Sequence, residues 1–312
     1  MEPKAKNYFV LAETSYLAGD KNKAINFYNK AIEFINDDNE KALTYFNIGV
    51  IYNEMGLMSE SIVFLKKAID INPIYTDAFK LIGMIYEEVG NYEEALQSYE
   101  MILKYKNSDI ESIYNYARLL DLLGKEELAI KEYEKLLELD PNNIYALNNL
   151  GSIYEGRKDY DKSLYYLKKS INVSYEYYLS HFNIAVVYKE LNEIDLAVKH
   201  YIRAKDLNPY YDKIYLNLSE IFIDQNHYAK AISILSEGII FNPNSSDLYY
   251  NRACCYSLLD EYEKAINDLD IAVKIDKGLY YWIIADSDFE KLRKTEIYRK
   301  FISELNSIKK GN

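Results

Sequence analysis

The chain repeats itself every 34 residues, and that period decides the architecture before any single element does. Ala24, Ser61, Ala95, Ala129, Ser163, Ala197, Ala231 and Ala265 are separated by 37 residues once and by 34 residues six times thereafter. One three-residue insertion accounts for the exception. A second series of small residues, Ala12, Gly49, Gly83, Ala117, Gly151, Ala185, Ser219 and Ala253, runs twelve residues ahead of the first. Large residues follow three positions later at Tyr52, Tyr86, Leu120, Tyr154, Tyr188, Phe222 and Tyr256, with Ser15 as the departure in the first repeat. Four of the five prolines, Pro73, Pro141, Pro209 and Pro243, fall at one phase of the period, where proline ends a helix and opens a turn.

Within each unit the apolar residues recur at helical spacing. Phe79, Ile82, Gly83, Ile85 and Tyr86 form one such run, and after a turn Tyr92, Ala95 and Leu96 begin another. Gly56, Gly90 and Gly124 sit in the turns, where a left-handed residue closes a helix. No β-branched alternating run reads as a strand. The pattern predicts an all-α chain of tandem helix-turn-helix hairpins, with the paired small residues letting two backbones approach and the large residues filling the groove between hairpins.

These residues resemble the tetratricopeptide repeat. The stretch 144–177 displays the motif in Leu147, Leu150-Gly151, Tyr154, Tyr160, Ser163 and Leu167. Eight repeats are expected over residues 1–279, starting at Ala5, Ala42, Thr76, Ile110, Ile144, Tyr178, Asp212 and Ser246. Tyr175 and Lys277 stand where proline is usual, and Leu120 where tyrosine is. The resemblance implies a right-handed superhelical α-solenoid. Residues 280–312 are left for a C-terminal capping helix, expected over Asp286 to Leu305 with Ser287 and Glu290 as a capping box and Phe289, Leu292, Phe301 and Leu305 on its apolar side. A short disordered tail is expected from Ser307 to Asn312.

Composition narrows the function. Lys+Arg 37 against Asp+Glu 49 leaves a net charge of −12, which argues against nucleic acid and anionic membrane as partners. The N-terminus does not read as a secretory signal, and the longest apolar run, Tyr280 to Ala285, is far too short to span a bilayer. The expectation is a cytoplasmic protein without metal or cofactor. Catalysis is not expected: the repeats leave no length for an enzyme module, and His181, His200 and His227 lie at different repeat positions that need not converge. Of the adjacent Cys254 and Cys255, about 100° apart on a helix, one should be buried and the other half-exposed.

The expected work is binding, as an adaptor or scaffold. In the resembled family the first helix of each hairpin lines a concave groove through its second, fifth, sixth, ninth, twelfth and thirteenth positions. The sixth position reads Val10, Asn47, Leu81, Asn115, Asn149, Asn183, Asn217 and Asn251. Two readings of the asparagines stand open. They are either a ladder whose carboxamides hydrogen-bond an extended peptide backbone, or a family habit that serves solubility or a local bond. Tyr114, Arg118, Tyr145 and Phe182 are the expected selectivity residues beside them. The groove positions carry twelve acids and five bases, a balance of 5 − 12 = −7, so the expected partner is a basic or neutral protein or peptide. The carboxylate clamp of the chaperone-binding members is not expected: of its positions only Asn47 and Lys80 match, and Glu13 would repel a carboxylate. The alternative is a self-assembling scaffold that docks through its convex face or ends, a possible homo-oligomer.

Overall fold

The computed structural model describes residues 1–310, with side chains through Leu305. Among the described residues every regular element is helical, and sixteen helices pair into eight successive hairpins. Those of the N-terminal half are α1 (Pro3–Leu17) with α2 (Lys21–Ile32), α3 (Asp38–Glu54) with α4 (Met58–Ile71), α5 (Thr76–Glu88) with α6 (Tyr92–Tyr105), and α7 (Ile110–Leu122) with α8 (Glu126–Leu139). Then come α9 (Ile144–Gly156) with α10 (Tyr160–Val173), α11 (Tyr178–Glu190) with α12 (Ile194–Leu207), α13 (Asp212–Asp224) with α14 (Tyr228–Phe241), and α15 (Ser246–Leu258) with α16 (Tyr262–Ile275). The chain divides into two compact units, Met1–Asn149 and Leu150–Asn312.

In both units the small residues do what their spacing predicts. Ala12 with Ala24, and Ala185 with Ala197, are fully buried within shared clusters. Where the pair is glycine with serine, the structure adds a hydrogen bond. Ser61 Oγ donates to the Gly49 carbonyl at 2.8 Å, and Ser163 Oγ to the Gly151 carbonyl at 2.7 Å. A Cβ on Gly151 would lie 2.4 Å from Leu167, so the facing helix occupies the space that a side chain would need. Tyr99, Tyr133 and Tyr201 are buried to 0–1% exposure and fill the interior beside these contacts.

The turns inside the hairpins all require a left-handed residue, and the two units supply it differently. In the first unit Gly19, Gly56, Gly90 and Gly124 take φ between 70° and 82°. In the second, Lys158, Asn192, Asn226 and Asp260 take φ of 59–61°, a conformation that costs an L side chain energy.

Four expectations are corrected in the second unit. The segment expected as one helix is broken: α17 (Leu279–Ala285) is followed by 3-10 turns at Ser287–Phe289 and Leu292–Lys294, and α18 (Glu296–Lys310) begins only after Thr295. Phe289 and Leu292 are both fully buried, and folding the chain to insert them ends the regular helix. The Ser287 capping box does not form; Asp286 caps the turn instead, accepting from the Asp288 backbone N–H at 2.9 Å. Helix α18 also runs through Lys309 and Lys310, part of the stretch expected to be disordered, while residues 311–312 lie outside the described ones. Both cysteines are buried, Cys254 in the cluster that α18 completes and Cys255 in the preceding one. Burial pushes both thiols up, Cys255 to about 12, so neither is a reactive thiolate.

The histidines also depart from expectation. His181 and His200 converge, with Nδ1 atoms 3.1 Å apart, while His181 Nε2 lies 3.0 Å from the Tyr175 carbonyl. Both belong to one hairpin and sit nineteen residues apart, as do Tyr8 with Phe27 and Tyr45 with Phe64, whose rings also meet. The imidazole pair occupies a slot that other hairpins give to aromatic packing.

Candidate peptide-binding face

In the first unit the positions expected to line a groove lie on α1, α3, α5, α7 and the start of α9. They carry a row of unusually exposed apolar side chains. Val10, Leu17, Leu43, Met84, Leu122 and Tyr145 are 40–84% exposed, Leu17 the most. Tyr145 is 49% exposed. Tyr114 is half-buried, its ring 5.8 Å from that of Tyr145 and 6.2 Å from that of Tyr133. Repeat position assigns Val10, Leu43, Met84 and Leu122 to this face, and their exposure marks them out on it.

The row asparagines of this unit are half-buried, and Asn47 and Asn149 are bonded to tyrosines of the neighbouring helix. Asn149 Nδ2 donates to Tyr133 Oη at 2.8 Å, and its Oδ1 accepts from Asn148 at 3.3 Å. Asn47 Nδ2 reaches Tyr28 Oη at 3.4 Å. Asn115 is half-buried on α7. The hydroxyl of a buried tyrosine needs a partner, and the carboxamide above it supplies one. The sign of this was in the sequence as a tyrosine before each asparagine, sixteen residues ahead of Asn149 and, across the three-residue insertion, nineteen ahead of Asn47.

Charges on the same face pair across neighbouring odd-numbered helices at a separation of 31 residues. Lys80 bonds Glu111, and Arg118 bonds Glu87, both between α5 and α7. Arg118, expected to read a partner, is therefore already held by Glu87. Glu54 is neutralised by Lys21 at 3.2 Å and accepts from Tyr16 Oη at 2.5 Å. Seven acids and three bases occupy the expected groove positions of this unit, so 3 − 7 = −4 remains on its face.

The second unit presents the same positions on α11, α13, α15 and the end of α9, and it is more closed. Phe182 is only 9% exposed, packed edge-on against Tyr201 at 5.7 Å and Tyr211 at 5.3 Å, so its ring serves the core. Asn217 donates to the Lys213 carbonyl at 2.9 Å and accepts from Tyr201 Oη at 3.4 Å; Asn251 donates to the Asp247 carbonyl at 2.8 Å. Asn183 is half-buried on α11. Lys189 pairs with Glu220 at 2.7 Å, again 31 residues apart. Five acids and two bases leave 2 − 5 = −3 on this face. Burial, then the charge of Glu190, raises the Glu155 carboxyl above its ordinary value.

Among the described residues no helix is long and apolar enough to cross a membrane, and no three His, Cys, Asp or Glu side chains are grouped to hold a metal ion.

Family models described as tetratricopeptide repeat match residues 5–38, 42–75, 78–111, 144–177, 178–211 and 235–267, and one described as TPR repeat matches 120–156. A search of curated proteins finds no match. Among solved structures, a tetratricopeptide repeat protein from Parabacteroides merdae superposes with a TM-score of 0.64 at 20% identity, covering 75% of this chain and 93% of its own. Yeast Tom70 superposes at 0.58 with 16% identity, covering 97% of this chain and 68% of its own. At these identities the likeness concerns the fold. Seven repeat matches along one chain of helical hairpins place it in the tetratricopeptide repeat family, whose members are protein-interaction modules.

Proposed function

We propose that this protein is a non-enzymatic adaptor that grips an extended, basic or neutral segment of another polypeptide on the face of its odd-numbered helices. The observation that carries the reading is the row of exposed apolar side chains in the first unit, Val10, Leu17, Leu43, Met84, Leu122 and Tyr145, set among carboxylates. Exposed apolar groups that lie together rather than singly mark interaction surfaces. Carboxylates around them select against acidic partners and speed encounter with basic ones. Asn47, Asn115 and Asn149 stand in the same row. Each carboxamide has more than one hydrogen-bonding group, so a bond to a tyrosine below leaves capacity for a peptide above. In the second unit Asn183, Asn217 and Asn251 stand at the same repeat position on its own odd-numbered helices, and Phe182 is packing against Tyr201 and Tyr211.

The test is a pair of substitutions on exposed positions, Met84→Arg and Leu122→Arg. Both side chains are more than half exposed, so helicity and unfolding midpoint should stay close to the parent's. Capture of basic partner segments should drop severalfold in the double variant; capture unchanged would remove the face from the account.

A second reading, docking of one chain on another, has one observation in its favour: Tyr281 and Trp282 on α17 are 66% and 68% exposed. Sedimentation that shows a monomer across the micromolar range would remove it.

A further inference from the structure

We infer that a cavity between the first two hairpins is a pocket for a lysine or arginine side chain of the bound polypeptide. The inference rests on the face reading above and adds the chemistry of one anchor. A cavity of about 400 Å³ opens beside α1 and α3, the size of a small-ligand pocket rather than of a docked helix. Its apolar walls are Leu17, Val50 and Ile51. Leu17 is 84% exposed, whereas Ile51 is buried to 3%, so the wall runs from solvent down to the core. Its polar lining residues are Glu13, Tyr16, Tyr28 and Asn47; the Tyr28 hydroxyl accepts from Asn47, and the Tyr16 hydroxyl donates to Glu54.

Glu13 decides the ligand. The other groove carboxylate on α1 and α3, Glu54, is satisfied by Lys21 and Tyr16. Among the described residues no cation pairs with Glu13. Its charge reaches into the cavity. Burial and then the Glu13 carboxylate push the Tyr28 phenol up to about 12. An anion would be repelled here, and a purely apolar group would strip water from a carboxylate without compensating it. A side chain with an apolar stem and a cationic head meets both halves of the lining, the stem on Leu17, Val50 and Ile51 and the head on Glu13. Lysine and arginine are the side chains of that form.

The experiment is methyl NMR of the full chain titrated with acetyl-Ala-Ala-Lys-Ala-Ala-amide, its arginine counterpart and its norleucine counterpart. The lysine and arginine peptides should shift the methyl signals of Leu17, Val50 and Ile51 in a saturable way, and norleucine should bind roughly threefold to tenfold more weakly. Glu13→Gln, at an exposed helical position, should erase that preference, and Leu17→Ala should weaken all three peptides together. Equal binding of lysine and norleucine, or a preference that survives Glu13→Gln, overturns the pocket. Lysine-dependent shifts at Met84 and Leu122 but none at Leu17 and Ile51 also overturn it, while leaving the broader face reading intact. No shift on any odd-numbered helix overturns both.

Discussion

Replacing Lys158 by glycine should stabilise the second unit, although it removes a side chain and adds no contact. Lys158 closes the α9–α10 turn at φ 60°, where Gly19, Gly56, Gly90 and Gly124 stand in the equivalent turns of the first unit. A left-handed conformation costs an ordinary L residue about 1–2 kcal/mol. Glycine returns about 0.4–1 kcal/mol of that through the greater freedom of the unfolded chain. The net expectation is a gain of about 0.5–1 kcal/mol. Asn226 provides the internal control. It sits at φ 59° but accepts a hydrogen bond from Tyr228 Oη at 2.6 Å, and asparagine tolerates this region better than lysine. Asn226→Gly should be neutral or destabilising by up to about 1 kcal/mol. Urea unfolding followed by circular dichroism gives both midpoints, and hydrogen exchange at the amides of Gly156 to Tyr160 localises the change. Equal shifts for the two variants, or a loss with Lys158→Gly, would refute the strain argument.

Other outcomes follow from the same structure. Gly151→Ala places a Cβ 2.4 Å from Leu167 and should cost about 1–3 kcal/mol, while Gly56→Ala, with open space around it, should suffer only from its φ of 74°. Asn149→Ala strands the buried Tyr133 hydroxyl and should lower stability by about 1–2 kcal/mol, more than Asn251→Ala, whose bond is only to its own helix. Burial holds both His181 and His200 below the ordinary imidazole value, His200 to about 4. A base depressed on folding binds its proton first in the unfolded chain, so stability should be full above about pH 6.5 and decline as pH falls toward 4. The double substitution His181→Phe with His200→Phe, which copies the aromatic pairs of the first two hairpins, should flatten that decline; a pH profile identical to the parent's would contradict it.

The repeat period carried most of the fold because each hairpin is specified by the same few contacts. Ala12 with Ala24 and Gly151 with Ser163 could be paired from spacing alone, since only small residues allow the approach the helices make. The C-terminal segment did not repeat, so nothing in it could be read by analogy with its neighbours. There the burial of Phe289 and Leu292 outweighed the capping-box pattern of Ser287 and Glu290. Position in the repeat placed the candidate face, but not the state of each residue on it. Arg118 and Lys80 are matched by acids 31 residues away, a distance that only stacking brings within reach. Phe182 and Tyr145 are both aromatics at expected groove positions, and only packing by Tyr201 and Tyr211 separates the buried ring from the exposed one. The convergence of His181 with His200 was legible in principle, because Tyr8 with Phe27 has the same spacing. Histidine in place of the aromatic residue masks that repeated slot.

The most direct test of the account is site-specific photo-crosslinking in the native cell. A photoreactive residue is placed at Met84 or Leu122, on the odd-numbered helices, and in parallel at Tyr165 or Ile240, which are 53% and 75% exposed on even-numbered ones. The account predicts that Met84 and Leu122 crosslink to a polypeptide segment of basic or neutral charge and that Tyr165 and Ile240 do not. Crosslinks confined to Tyr165 and Ile240, or to acidic segments at all four positions, would contradict it.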